Sequence, residues 1–144
     1  MSEPLSAEGR AEPDLDELMA AAHDARNRAY APYSRFHVGA AVATDKGVFT
    51  GANVENASYG LSICAERVAA SSAVAAGARR IDAVAVTSSA AGPASPCGAC
   101  RQFLFEFGPD MVVAAEGTTG GRKVWRLSEL LVDGFGPSDL EGAG

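Results

Sequence analysis

The sequence predicts one α/β domain in which helices cover a mixed β-sheet. Segments with helical spacing of apolar residues alternate with short β-branched segments, in the order α-β-β-α-β-α-β-β-α. The 144 residues match the usual size of one domain, and neither a repeat nor a linker divides them. Hydrophobic residues make up 47% of the chain, which is enough for a core without disulfides.

The first half of the chain combines two helices with a hairpin. Asp14 is a suitable N-cap for the first helix, and Pro32 prevents its continuation. Gly47 supplies the positive φ that a tight hairpin turn requires, and Gly77 is a natural end for the alanine-rich second helix. The predicted elements are a helix over 15–29, strands over 36–44 and 48–53, a loop over 53–61 and a helix over 62–76.

The second half alternates apolar strands with one longer and one short helix. Gly108 and Pro109 end the longer helix, and the glycine-rich segment 117–121 connects two strands. A Gly/Pro-rich tail follows the last helix. The predicted elements are strands over 81–87, 111–115 and 123–127, a loop over 88–96, and helices over 98–107 and 128–132.

Residues 1–13 lack periodicity and are expected to form a flexible N-terminal tail. Residues 14–140 are expected to form the single domain, and 141–144 a flexible C-terminus.

Charge and composition exclude several classes of partner. The net charge of −6 and the scattered basic residues argue against polynucleotides and anionic membranes. No apolar stretch suits a signal peptide or a membrane span, so a cytoplasmic location is expected.

The three cysteines have the spacing of a metal site. Cys97 and Cys100 are one helical turn apart, and Cys64 lies 33 positions earlier, in a Cys-Ala-Glu sequence. Both groups fall near predicted helix N-termini, where the helix dipole favours thiolates. Three thiolates suit tetrahedral Zn²⁺, and the lack of a fourth cysteine leaves one position open, as in catalytic sites. Buried structural cysteines or a redox pair are the alternatives.

The combination of Cys-x-Glu with Pro-Cys-x-x-Cys is typical of zinc nucleobase deaminases. More narrowly, the chain resembles the small, homotetrameric, zinc-dependent cytidine deaminases of the cytidine/deoxycytidylate deaminase superfamily. The matching stretches are Ala31–Ala41, Gly51–Ala57, Ile63–Arg67, Ser95–Gln102 and Phe135–Pro137. The resemblance extends from about residue 14 to 140 and implies a three-layer α/β/α fold with a five-stranded mixed sheet.

The resemblance implies hydrolytic deamination of cytidine and 2′-deoxycytidine to the uridine nucleosides, with release of ammonia, in pyrimidine salvage. Zn²⁺ on Cys64, Cys97 and Cys100 would activate the water that attacks C4 of the base. Glu66, two residues after a ligand, would shuttle protons from the water to N3 and to the departing amine. Arg67 would hydrogen-bond the ligand sulfurs and offset their charge.

The resemblance also implies a set of substrate-binding residues. Alternation after the second strand puts Asn53 and Glu55 on one side, where they would hold the ribose 3′-OH. Glu55 would also repel the 3′-phosphodiester of a polynucleotide. Phe135 lies between two glycines, on a segment expected to be flexible and able to reach a neighbouring subunit of a homotetramer with shared active sites. The remaining substrate-binding residues implied are Phe36, Ala65 and Tyr59.

Three other functions are compatible with parts of the pattern. A deaminase of a nucleoside-like antibiotic, of the blasticidin S type, shares the zinc motifs but generally lacks the Asn-x-Glu-Asn stretch and the Phe-Gly tail. A non-catalytic, zinc-stabilised interaction module predicts a closed coordination sphere and needs no Glu66. A polynucleotide cytosine editor is disfavoured by the acidic charge and by Glu55.

Overall fold

The computed structural model describes residues 12–141, which form a five-stranded sheet between layers of helices. The strands are β1 Val38–Thr44, β2 Gly47–Ala52, β3 Ile81–Ser88, β4 Val112–Glu116 and β5 Arg122–Arg126. The helices are α1 Leu15–Arg26, α2 Ala65–Ala75, α3 Gly98–Phe105, α4 Leu127–Leu130 and α5 Pro137–Glu141. The tails predicted at 1–13 and 141–144 lie almost wholly outside the described residues.

The sheet is mixed and has the strand order β2-β1-β3-β4-β5. Only β3 and β4 are parallel, and α3 lies in the connection between them, as a parallel pair requires. Strand β1 is antiparallel to both neighbours, so Val38 at its start lies opposite Ser88 at the end of β3. Strand β2 ends at the same place, since Ala52 pairs with Gly39. Several loops therefore meet at this one edge of the sheet.

Helices cover both faces of the sheet, as predicted. On one face, Leu18, Met19 and Ala22 of α1 pack against alanines of β1, β3 and β4. On the other face, Ala69 of α2 and Leu104 of α3 pack in a core with valines of the central strands. The many small side chains let α2 lie close to the sheet, which buries its first turn completely at Ala65. The three-layer α/β/α prediction is confirmed.

Two predicted element starts are wrong in the first half of the chain, for local reasons. Helix α2 begins at Ala65 and not at 62, because Ile63 exchanges two backbone hydrogen bonds with Val54 and stays extended. Strand β1 begins at Val38 and not at 36, because the Phe36 carbonyl accepts a side-chain hydrogen bond instead of a ladder bond. A turn of 3₁₀-helix at Tyr59–Leu61 lies within the predicted loop.

The C-terminal segment also differs from the prediction. Helix α3 ends at Phe105, two residues early. The Gly/Pro-rich tail, for which no helix was predicted, contains α5, which begins with Pro137 at a position that suits proline. The segment before it is packed rather than flexible, because Gly134 and Gly136 lie against the ring of Phe105. Within residues 12–141, no helix has the length and apolar character needed to cross a membrane.

Candidate active site

A cavity of about 260 Å³ opens at the sheet edge where β1 begins and β2 and β3 end. Its walls combine the loops before β1 and after β2 with the first residues of α2 and the segment that leads into α3. Seven of the residues predicted from the sequence line it, namely Phe36, Asn53, Glu55, Cys64, Ala65, Glu66 and Cys97. The fold therefore brings together residues that are distant along the chain.

The three cysteines form one cluster beside this cavity. Cys64 is the N-cap of α2, Cys97 is the N-cap of α3, and Cys100 lies in the first turn of α3. Their sulfur atoms all lie within 4.8 Å of one another, and 3.8 Å separates those of Cys64 and Cys97. Neither N-cap thiol makes a capping hydrogen bond to its own helix, so both sulfurs are available to a metal.

The geometry and charge of the cluster fit Zn²⁺. Four ligands at about 2.3 Å in tetrahedral arrangement put sulfur atoms about 3.8 Å apart, which matches the distance between Cys64 and Cys97. All three cysteines are free thiols. Two helix N-termini point at the cluster, and their partial positive charge favours thiolates over thiols. The donor set is three sulfurs, which leaves one tetrahedral position for water or substrate.

Hydrogen bonds distribute the charge unevenly within the cluster. The pKa of Cys64 is lowered, first by a hydrogen bond from the Cys100 thiol and then by the Arg67 guanidinium. The pKa of Cys100 is raised, because this thiol shares its proton with Cys64 and is itself buried. Of this pair, Cys64 is therefore the sulfur that more readily carries negative charge.

Arg67 is the cation that faces the sulfurs. Its Nη2 donates to the Cys64 sulfur at 3.7 Å, and the pKa of the guanidinium is raised by the sulfurs of Cys64 and Cys100. Its Nε is buried without a hydrogen-bond partner in the described part of the chain. Three thiolates with Zn²⁺ carry one net negative charge, which a cation at this position offsets.

Glu66 lies next to the cluster and is almost completely enclosed. Its residue is 5% exposed, yet it contributes to the cavity wall together with Cys64. Burial raises the pKa of its carboxyl group to about 7, and the negative charge on Cys64 raises it further. Removal from water favours the protonated form, so this carboxyl can both accept and release a proton near neutral pH.

Asn53 organises the cavity wall as well as lining it. Its Oδ1 accepts from the Val38 backbone N–H at 2.9 Å, and its Nδ2 donates to the Phe36 carbonyl at 2.8 Å. These two bonds hold the segment before β1 in place. One N–H of the amide and one lone pair of its oxygen remain for a ligand, since a primary amide has two of each.

Glu55 binds the loop between α1 and β1. The backbone N–H groups of Tyr33 and Ser34 donate to its Oε1 at 2.9 and 3.1 Å, and the Ser34 hydroxyl donates to its Oε2. The pKa of Glu55 is lowered, first by the Ser34 hydroxyl. The carboxylate is therefore a fixed negative charge at the cavity wall.

The three predicted aromatic residues occupy different positions. Phe36 lines the cavity, and its side chain is partly exposed. Tyr59 lies outside this cavity and contacts Tyr33 edge-to-face with ring centroids 6.0 Å apart, next to a second depression shared with Glu55. Phe135 lies outside both cavities and is 58% exposed. Of these three rings, Phe36 alone lines the cavity that also exposes Cys64 and Cys97.

The sequence reasoning missed part of the cavity wall. Val38, Val86, Ser88 and Ser95 also line it. Their strand and loop patterns resemble those of ordinary core and turn residues. The signal that could have identified Ser95 is its place directly before the Pro-Cys pair, which fixes it next to the cluster.

The site and fold define a class of protein that the family comparison identifies. The family model of the cytidine and deoxycytidylate deaminase zinc-binding region matches residues 13–116, which is most of the chain. The chain therefore belongs to this family of zinc-dependent enzymes. The predicted resemblance and the predicted Zn²⁺ cofactor are both confirmed at this level.

Individual relatives match over nearly their whole length. A protein of Halalkalibacterium halodurans named cytidine deaminase is 45% identical over 129 residues, which cover 88% of this chain and 98% of that protein. A cytidine deaminase of Sporosarcina psychrophila is 41% identical over 90% of this chain and 97% of its own. The crystal structure of cytidine deaminase from Burkholderia pseudomallei superimposes with a TM-score of 0.81 at 50% identity, covering 85% of this chain and all of that one.

Proposed function

We propose that this protein deaminates free cytidine and 2′-deoxycytidine by hydrolysis, giving the corresponding uridine nucleoside and ammonia, in pyrimidine salvage. The observation that carries the proposal is the buried carboxyl of Glu66 in the wall of the cavity that also exposes Cys64 and Cys97. A structural zinc site needs neither an open ligand position nor a buried acid beside it. The names of the similar proteins support cytidine as the substrate.

In the proposed mechanism, Cys64, Cys97 and Cys100 hold the metal and Glu66 moves the protons. Zn²⁺, when bound, supplies the electrostatic activation that makes water a nucleophile near neutral pH. Glu66 accepts a proton from the attacking water and delivers it to N3 of the base. It then accepts the remaining proton of the same oxygen and delivers it to the amine, as the bond from C4 to nitrogen breaks and the C4 carbonyl forms. A carboxyl whose pKa is about 7 can act in both directions.

Arg67 keeps the cysteines in their charged form during the reaction. Its hydrogen bond to the Cys64 sulfur places a full positive charge beside the three thiolates. With Zn²⁺ bound, this charge would limit the electron density that the sulfurs pass to the metal, and so would help the metal to acidify water. Arg67 therefore acts through the sulfur atoms and not on the substrate, because its guanidinium does not line the cavity.

The walls of the cavity would hold the nucleoside in one orientation. Phe36 offers an apolar ring for the pyrimidine, and the backbone N–H of Ala65, at the free N-terminus of α2, is a donor for an acceptor on the base. The remaining hydrogen-bonding capacity of Asn53 and the fixed carboxylate of Glu55 suit a sugar hydroxyl. That carboxylate also repels a 3′-phosphodiester, so polynucleotides are excluded.

We further propose a homotetramer in which Phe135 and Tyr59 reach the site of a neighbouring subunit. Both are large apolar residues with more than half of their surface exposed, at 58% and 74%. Leu61 and Val132 are also exposed, at 66% and 87%, and apolar side chains of this kind are what a subunit interface can bury. The three free thiols favour a reducing compartment, hence the cytoplasm.

The proposal is tested by incubating the purified protein with cytidine and with 2′-deoxycytidine. The absorbance band of the cytosine ring should disappear while one ammonia is released per nucleoside. Light scattering at the assay concentration should give four times the mass of the chain. A fully zinc-loaded protein that releases no ammonia from either nucleoside would contradict the proposed activity, and an active monomer would contradict the shared sites.

A further inference from the structure

The side chain of Gln102 binds both backbone groups of Phe135. Its Oε1 accepts from the Phe135 N–H at 3.1 Å, and its Nε2 donates to the Phe135 carbonyl at 2.6 Å. The two residues are 33 positions apart, and Gln102 lies on α3, the helix that carries Cys97 and Cys100. A primary amide that uses one donor and one acceptor on the same residue fixes that residue's orientation as well as its position.

Further contacts dock the same segment on α3. Gly134 and Gly136 lie so close to the ring of Phe105 that a Cβ atom on either would approach it to 2.8–2.9 Å. Beside Gln102, Arg101 donates to the Leu130 carbonyl at 2.9 Å and to the Pro96 carbonyl at 2.8 Å. The segment that precedes Phe135 and the residue that precedes Cys97 are thus both bound by side chains of one helix.

We propose that Gln102 is a positioning residue, which holds the backbone of Phe135 against α3 so that the Phe135 ring projects from the subunit in one fixed direction. The ring itself remains 58% exposed, while its backbone is bound on both sides. An apolar ring that is to enter a neighbouring site loses less conformational entropy on binding when its backbone is fixed beforehand. The inference rests on the proposed function, which assigns Phe135 to a neighbour's site.

A purely structural role for Gln102 would have different consequences from a positioning role. If Gln102 served only to stabilise the C-terminal segment, its removal would lower stability without a specific effect on substrate binding. If it acts through Phe135, its effect on KM requires the Phe135 ring. A double-mutant cycle separates these possibilities, because residues that act as one unit give non-additive effects.

The experiment compares Q102A, F135A and the double variant, each loaded with zinc. Q102A is expected to raise KM for cytidine about tenfold with little change in kcat, because a misplaced ring weakens substrate binding. In the F135A background the same substitution should leave KM unchanged. E106A, which truncates an exposed side chain at the C-cap of α3, is the control and should behave like the parent protein.

A second measurement reads the contact without activity. Hydrogen exchange at the Phe135 amide, whose N–H is donated to Gln102, should be at least about tenfold faster in Q102A than in the parent and unchanged in E106A. If Q102A does not fold well, Q102M keeps the side-chain length, removes both the acceptor and the donor, and should accelerate the same exchange.

An unchanged KM in Q102A, an equal rise in KM with and without the Phe135 ring, or unaltered exchange at this amide would each overturn the inference. Failure of the proposed function is distinguishable, because the parent protein itself would then release no ammonia from cytidine.

Discussion

The sulfur atoms of Cys64 and Cys97 lie 3.8 Å apart, although 33 positions separate the two residues in the chain. Each residue is the N-cap of a different helix, and each helix follows a strand that ends at the same edge of the sheet. The metal site thus joins α2 to α3 at their N-termini. This arrangement links metal binding to the folding of the cavity.

Removal of zinc should therefore lower both activity and stability. We expect one Zn²⁺ per chain by elemental analysis, and a lower melting temperature after chelation, because the three sulfurs then repel one another or take up protons. Cys97→Ala should have the same effect, since two sulfurs leave the cluster incomplete. A metal-free protein with full activity would contradict the assignment of the cysteines.

Glu66→Gln should separate proton transfer from metal binding. The amide has nearly the same shape but cannot accept the proton of the attacking water, so kcat is expected to fall at least about 10³-fold while the zinc content stays at one per chain. Glu106→Gln, at the exposed C-cap position of α3, is the matched control and should retain full activity. Turnover near that of the parent in Glu66→Gln would transfer the acid-base role to another group.

Glu55→Ala should act on the sugar and not on the base. A hydrogen bond to a charged group contributes about 1.5–3 kcal/mol, so kcat/KM for cytidine is expected to fall roughly 10- to 100-fold. Free cytosine, which lacks the sugar, should be a poor substrate for the parent protein and should be affected much less by the substitution. Comparing the two substrates in both proteins tests this, and equal turnover of cytosine and cytidine in the parent would contradict the assignment.

Asn53→Ala should lower stability as well as turnover. The Asn53 amide bonds to the backbone of Phe36 and Val38, so its loss leaves two polar groups without a partner at the start of β1. We expect the free energy of unfolding to fall by about 1–3 kcal/mol, in addition to weaker turnover. Urea denaturation of this variant and of the parent provides the comparison, and an unchanged midpoint for Asn53→Ala would show that these bonds contribute nothing.

Glu116 should make the fold more stable at neutral than at acidic pH. Its pKa is lowered, first by the hydrogen bond with His23 at 2.9 Å and then by Arg122 at 2.8 Å. Because the carboxyl is more acidic in the folded than in the unfolded chain, its stabilising effect is fully present above the unfolded pKa, which is about 4.5. The effect is lost as the pH falls through the lower folded value.

Glu116→Gln is therefore expected to unfold at lower urea than the parent at pH 7, with a difference that shrinks as the pH falls from about 5 towards 3. Asp133→Asn, a change of the same charge at an exposed position, should show no such convergence. A constant difference across this pH range would exclude Glu116 as the source of the acid sensitivity.

The sequence by itself determined the residues of the metal cluster and the class of fold. The spacing of Cys97 and Cys100 is one turn of a helix, which is a local property that periodicity reveals. The Cys-Ala-Glu sequence places Glu66 two residues after Cys64, and this closeness is also a local property of the chain. Apolar, β-branched segments likewise predicted the sheet, and the helical spacing of apolar residues predicted most of the helices, since burial imposes these patterns on the chain.

The tertiary structure alone decided the contacts between residues that are distant along the chain. The sequence suggested that Gly134 and Gly136 make their segment flexible. In the structure, the ring of Phe105 lies against both residues and leaves no room for a larger side chain. The pairing of Gln102 with Phe135 and of Asn53 with the segment before β1 also leaves no local pattern in the sequence. The physical reason is that such side-chain hydrogen bonds depend on which loops the sheet brings to one edge, and strand order is a property of the whole chain.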